Sequence, residues 1–314
     1  MAALALALFA MPLPYFSEGP GPAREVEPRI HVTGAPALYQ SDGKFVMTAV
    51  SIGMLTLPRL IRAAVDPAQN VIPESLLIAP GETQQQADQR SISEMDQSKI
   101  DATSLVLTGL ADDPKDHGPG VLVESVGPGC PADGRLFPGD LIERVNGTEI
   151  PDAATFERVL DRTKPSAPLT FRVTAGGETT DVHLTRRPCD PGRPKKALIG
   201  ISTLANFPYD VSISSGDIGG PSAGTMWALG LYDLLTPGDL TGGRTIAGTG
   251  TIATDGTIGP IGGVEEKIAA ATKAGADVFL VPRANYAAAK SVAGDLPLVP
   301  MDTFQDALDY LHGA

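Results

Sequence analysis

Two glycine-rich turns, Gly216-Asp217-Ile218-Gly219-Gly220 and Ile258-Gly259-Pro260-Ile261-Gly262-Gly263, most constrain how this chain can fold. Each follows a β-forming run and opens a helix-forming one. The first comes after Tyr209 to Ser214 and enters a helix from Pro221 to about Leu235, with proline at a favoured first-turn position. The second comes after a strand over Ile246 to Ala253 and a turn at Thr254-Asp255-Gly256, and enters a helix at about Val264. Strand–turn–helix units of this kind bury one face of a sheet under helices. The chain as a whole reads as α+β.

Each turn places one chemically informative residue at a helix start. Ser222, in Gly220-Pro221-Ser222-Ala223-Gly224, sits where free backbone N–H groups and the positive end of the helix dipole converge. An oxyanion formed by attack on a carbonyl finds its donors in such a loop, here Gly219, Gly220 and Pro221. Serine is also an ordinary helix cap, so this segment alone does not settle its role. Lys267 supplies the second half. It lies in the first turn of its helix, where a cation is disfavoured, and neither Gly263 nor Ala271 offers it an acidic partner four residues away. Desolvation and the dipole push such an amine toward neutrality, and a neutral amine can accept the proton of a serine hydroxyl.

Gly220-Pro221-Ser222-Ala223-Gly224, with Lys267 45 positions after the serine in Pro260-Ile261-Gly262-Gly263-Val264-Glu265-Glu266-Lys267, resembles the Lon peptidase signature. The similarity extends through Ala274-Gly275-Ala276 and Val278-Phe279-Leu280-Val281-Pro282. The resemblance implies Ser222 as nucleophile, Lys267 as general base, and Thr249 as a threonine hydrogen-bonding near the lysine. Gly219 and Thr251 depart from it, standing where Lon enzymes usually carry Asp and Glu. No G-x-x-x-x-G-K-[ST] sequence occurs in the 314 residues, so no phosphate-binding loop is read here and the implied activity is ATP-independent.

Residues from about Gly118 to Arg187 form a second compact pattern of short strands, turns and one amphipathic helix over Ala153 to Arg162. Gly120-Val121-Leu122-Val123, Gly129-Cys130-Pro131-Ala132 and Pro138-Gly139-Asp140-Leu141-Ile142 leading to Val145-Asn146-Gly147 resemble a PDZ domain of the bacterial protease-associated type. Such domains bind an extended peptide as an added strand. The resemblance places the peptide carboxylate on the loop Gly118, Pro119, Gly120, Val121 and Leu122, with His117 an exposed loop residue beside it. Cys130 and Cys189 allow one disulfide or two buried thiols. Neither has a second Cys or a His at metal-ligand spacing, and no metal or cofactor is expected.

Ala2 to Ala10 are Ala and Leu apart from Phe9, and apolar character continues to Phe16. This run is short for a bilayer span and is closed by Pro12 and Pro14, so it reads as the remnant of a membrane anchor, with a signal peptide as the alternative. The expected organisation is an anchor at 1–16, a polar linker at 17–28, an N-terminal part of the peptidase at 29–112, the PDZ domain at 113–190 and the catalytic part at 195–314. The PDZ β-barrel is thus inserted into a discontinuous Lon-type domain. The order resembles PDZ-containing Lon-like proteases of the YlbL type. That likeness implies a membrane-tethered, extracytoplasmic enzyme cleaving unfolded or membrane-proximal polypeptides, with a homo-hexameric ring among its expected assemblies. A net charge of −13 argues against a nucleic-acid partner.

Two other readings compete. A Ser-His-Asp hydrolase fits poorly, because His31, His117 and His183 precede Ser222 and His312 stands at the far end. A non-catalytic, membrane-tethered PDZ adaptor would be expected to have lost Ser222, Lys267 or Thr249, and all three are present.

Overall fold

The computed structural model describes residues 11–63, 65, 69–109, 118–189 and 196–313. Its contacts divide the chain into two compact units. One comprises the residues up to His31, Ala35–Ser98 and Ser212 onward; the other comprises Val32–Gly34 and Lys99–Val211. In chain order the elements that matter here begin with strands β1 (Pro12–Glu25) and β2 (Lys44–Thr56), helix α1 (Leu57–Ala63), β3 (Asn70–Pro73) and helix α2 (Gln84–Gly109). Then come β4 (Val121–Val126), β5 (Leu141–Val145), α3 (Ala153–Arg162), β6 (Pro168–Ala175), β7 (Glu178–Thr185) and β8 (Ile201–Ala205). The last group is α4 (Gly224–Leu235), β9 (Thr245–Gly248), α5 (Val264–Lys273), β10 (Val278–Pro282), α6 (Tyr286–Val292) and β11 (Leu298–Met301).

The first unit is built on a six-stranded sheet in the order β11-β10-β9-β2-β1-β3. It is parallel from β11 to β2 and antiparallel from β2 to β3. Strand β10 reads Val278-Phe279-Leu280-Val281-Pro282 and is buried throughout, as a parallel strand covered on both faces must be. Val46, Ala247, Phe279 and Val281 meet Val264, Ile268 and Ala271 of α5 and Ala289 of α6. Helix α4 is apolar nearly all round and accordingly buried, with Trp227 at 0% exposure.

Three expectations change here. Residues 17–28 are not a linker: most of them belong to β1, which pairs with β2 along its length and with β3 from Tyr15 to Glu18. Pro20 and Pro22 fit a strand because they lie beyond the β3 pairing, on a free edge, at a register shift between Pro20 and Ala23. Phe16, placed in the anchor remnant, is 3% exposed in this sheet. The pattern of Leu38-Tyr39-Gln40, a turn at Ser41-Asp42-Gly43 and Phe45 to Ile52 reads as a hairpin, but residues 38–40 form no strand and β2 takes β1 and β9 as its neighbours. Residues 1–10 lie outside the described residues. Among those described, no helix is long and apolar enough to cross a membrane.

The second unit holds a sheet in the order β8-β4-β5-β6-β7. Val121, Val123, Ile142, Leu169 and Phe171 pack its interior against Phe156 of α3. Its chain does not end at 190. Strand β8 returns to pair antiparallel with β4, so the boundary expected at 195 moves to about Val211. Cys130 and Cys189 form a disulfide. Gly200, just before β8, has φ +83°, and any Cβ there would strike the Cys130 side chain.

Candidate active site

Three residues from three elements meet in the first unit. Ser222 stands in the short 3-10 turn Pro221–Ala223 that leads into α4. Lys267 is in the first turn of α5, its N–H bonded to the Gly263 carbonyl. Thr249 follows β9 directly. The Lys267 Nζ lies 2.5 Å from Ser222 Oγ and 3.0 Å from Thr249 Oγ1. Thr249 donates its own proton to the Ser222 carbonyl oxygen at 2.9 Å, and the Gly250 N–H reaches the same oxygen at 2.8 Å. The threonine oxygen therefore keeps only lone pairs for the amine, and an N–H of a neutral amine pointing at Thr249 leaves the nitrogen lone pair free to face the serine hydroxyl.

Burial differs sharply across this cluster. Ser222 is half-buried, whereas Thr249 is 0% and Lys267 2% exposed. Desolvation pushes the amine down to about 8; the Glu18 carboxylate opposes that fall. At pH 7 roughly a tenth of the amine is then neutral and able to act as a base.

The loop before the serine is held on three sides. Ser91 of α2 accepts the Gly220 N–H on its carbonyl at 2.8 Å, Ser98 of the same helix donates to the Pro221 carbonyl at 2.9 Å, and Arg24 of β1 pairs with Asp217 at 3.0 Å. These contacts narrow the oxyanion expectation. The Gly220 N–H is occupied and Pro221 has none, which leaves the N–H groups of Gly219 and Ser222 as donors this loop can offer. Gly219 packs so closely that a Cβ would fall 2.5 Å from Ser91 Oγ. That contact accounts for glycine at a position where an aspartate was the expected residue. Arg24, Ser91 and Ser98 had no place in the sequence reading. The two serines are seven residues apart, two turns along one helix face, and that spacing was the available signal.

The second unit holds the peptide-binding residues expected from the sequence, and two of them are paired on both sides. Val121 pairs with Ile142 on one side and Ala205 on the other, and Leu122 with Leu141 and Leu204. Strand β4 has no free edge, so Val121 and Leu122 cannot receive an added strand; Gly118, Pro119 and Gly120 lie in the loop before it, where the Pro119 carbonyl accepts from Asn206. His117 lies outside the described residues. Strand β8 is one of the two end strands of this sheet, β7 being the other. Beside β8 runs a groove of about 790 Å³ lined by Phe156 and Leu160 of α3, Ile199, Ile201, Lys196 and Arg186.

Comparison with known proteins agrees with both halves. Residues 206–312 match the family described as Lon protease (S16) C-terminal proteolytic domain, and residues 103–185 match PDZ domain. The chain thus combines a Lon-type proteolytic domain, which supports a serine peptidase, with a PDZ domain, as the Gly220–Gly224 and Val145-Asn146-Gly147 stretches implied. It is 32% identical to Lon protease 2 of Bacillus subtilis (strain 168) over 133 residues, 40% of this chain and 23% of that protein. It is 39% identical to Lon protease of Campylobacter concisus (strain 13826) over 94 residues, 28% of this chain and 11% of that protein. The matches therefore span less than a quarter of the length of these relatives. Among solved structures, the PDZ domain of an SdrC-like protein from Listeria innocua is 25% identical, covering 27% of this chain and 92% of that one, with a TM-score of 0.25. Among the described residues, no group of His, Cys, Asp or Glu is arranged to hold a metal ion.

Proposed function

We propose that this protein is an ATP-independent serine endopeptidase acting through a Ser222–Lys267 dyad. The 2.5 Å approach of a desolvated amine to the serine hydroxyl supports this reading most strongly. Neutral Lys267 removes the hydroxyl proton as Ser222 Oγ attacks a peptide carbonyl carbon; the N–H and O–C bonds form as the O–H bond breaks. The oxyanion is received by the Ser222 and Gly219 N–H groups. The ammonium then gives its proton to the leaving amine, and a water, deprotonated by the same lysine, hydrolyses the acyl-enzyme. Thr249 orients the amine throughout.

The PDZ unit is proposed to grip a peptide end along β8, in the groove beside α3, because that edge has unpaired backbone groups next to apolar walls. The peptidase is proposed to be one discontinuous domain with the PDZ unit inserted in sequence. Attachment of its N-terminus to a membrane, with the bulk extracytoplasmic, and assembly into a hexameric ring belong to the same proposal. Flotation with liposomes and the mass of the solubilised full chain test these two points.

The experiment for the central reading is digestion of a disordered protein by wild type, Ser222→Ala and Lys267→Ala. Cleavage by wild type alone is expected. Equal behaviour of all three would instead favour a peptide-binding adaptor without catalysis.

A further inference from the structure

One acidic group stands on the sheet beneath the helix that carries Lys267. Glu18 lies on β1 opposite Ile52 of β2 and Asn70 of β3, in the sheet against which α5 packs. Its carboxylate is seated against Gly263, the residue that caps α5 with φ +65°. A Cβ on Gly263 would fall 2.6 Å from Glu18 Oε1 and 2.4 Å from a Val50 methyl, so only glycine leaves room for this approach. The first turn of the helix that follows carries Lys267. The other acids nearby are disposed differently. Glu266, 6% exposed, accepts from Asn70 Nδ2 at 2.5 Å, and Glu265 is exposed to solvent. Ser222 and Thr249 face the amine from the remaining sides and carry no charge. Glu18 is the acid that opposes the fall burial imposes on the Lys267 amine.

Resting on the dyad reading above, we propose that Glu18 is a positioning residue for Ser222 and Lys267. Its carboxylate, fixed against Gly263, stabilises the ammonium that forms when the amine takes the serine proton. A lysine buried with no counter-charge is a weak base, since the proton it must accept has nowhere favourable to sit. A carboxylate in direct contact would have the opposite fault, locking the amine as an ammonium at neutral pH. A carboxylate held at the cap of the same helix moderates the burial without reversing it. Burial also raises the Glu18 carboxyl above its usual range, with Glu266 and Glu265 adding to that rise and Lys267 opposing it. The two groups therefore influence each other, and a change at one must be read out at the other.

The test is a titration of the Lys267 side-chain nitrogen by 15N NMR in the full chain, paired with peptide hydrolysis, for wild type, Glu18→Gln, Glu18→Asp and Glu265→Gln. Glu18→Gln keeps the shape and removes the charge. It is expected to lower the Lys267 midpoint by about one pH unit. It should shift the acid limb of the kcat/KM profile by the same amount and lower kcat about three- to tenfold with KM unchanged. Glu18→Asp should restore part of the shift, and Glu265→Gln should leave the midpoint in place. An unmoved midpoint in Glu18→Gln, or an equal displacement in Glu265→Gln, overturns the proposal. If the midpoint moves in Glu18→Gln while the wild type cleaves nothing, the catalytic reading is overturned instead, because the titration does not depend on turnover.

Discussion

The two glycine-rich turns open helices of the same unit and deliver opposite environments. The Gly216–Gly220 turn is tied down from outside, by Arg24 on Asp217 and by Ser91 and Ser98 on Gly220 and Pro221, and it leaves Ser222 half-exposed. The turn ending at Gly263 is packed from inside, against Val50 and Glu18, and it buries Lys267 to 2% exposure. A nucleophile must meet its substrate, so its loop needs rigidity with access. A lysine base must be stripped of water to lose its proton near neutral pH, so its helix start needs burial. Similar local sequence thus serves two purposes, and the packing partner decides which.

Substitutions that erase this contrast should have the largest effect. Lys267→Met fills the same space without an amine. It is expected to lower kcat by about a thousandfold or more and to raise the melting temperature at pH 7, since a desolvated ammonium is removed. Hydrolysis and thermal unfolding check the two halves together. Thr249→Val, which keeps the volume but takes away the acceptor that orients the amine, is expected to cost about tenfold to a hundredfold in kcat with little change in KM. Gly219→Ala acts on the other turn. Its methyl displaces Ser91 and loosens the serine loop, and roughly a three- to tenfold fall in kcat/KM is expected, with the pH midpoint of activity unmoved. The smallest effect on catalysis should come from the second unit. Cys130→Ser with Cys189→Ser opens a loop with a sequence separation of 59 and should lower that unit's stability by about 2–4 kcal/mol, leaving hydrolysis of a short peptide unchanged.

The pairing of Ser222 with Lys267 was legible in the sequence because its information is local. Gly220 to Gly224 and Gly259 to Lys267 each encode a turn, a helix start and one reactive side chain within a few residues. The PDZ pattern was legible for the same reason. What failed depended on distant pairing. Strand β1 reads as a linker because Gly19, Pro20, Gly21 and Pro22 interrupt it, and only the register shift against β2 reconciles them with a sheet. Val121 and Leu122 read as part of a peptide-binding loop because nothing near Val121 reveals that Ala205 pairs with it. Gly200 was the overlooked signal, a glycine at the mouth of β8 beside the disulfide. Glu18 had no local signal at all; its importance arises from the helix folded against it.

The central claim is that burial makes Lys267 a base at working pH, and the pH dependence of kcat/KM on an unfolded substrate tests it most directly. A base whose amine titrates near 8 gives activity that rises with pH through about 8 and falls below it as the amine takes a proton. That acid limb is the predicted result, with activity gone in Lys267→Met. A rate that stays flat from pH 6 to pH 9, or survives in Lys267→Met, would contradict the account.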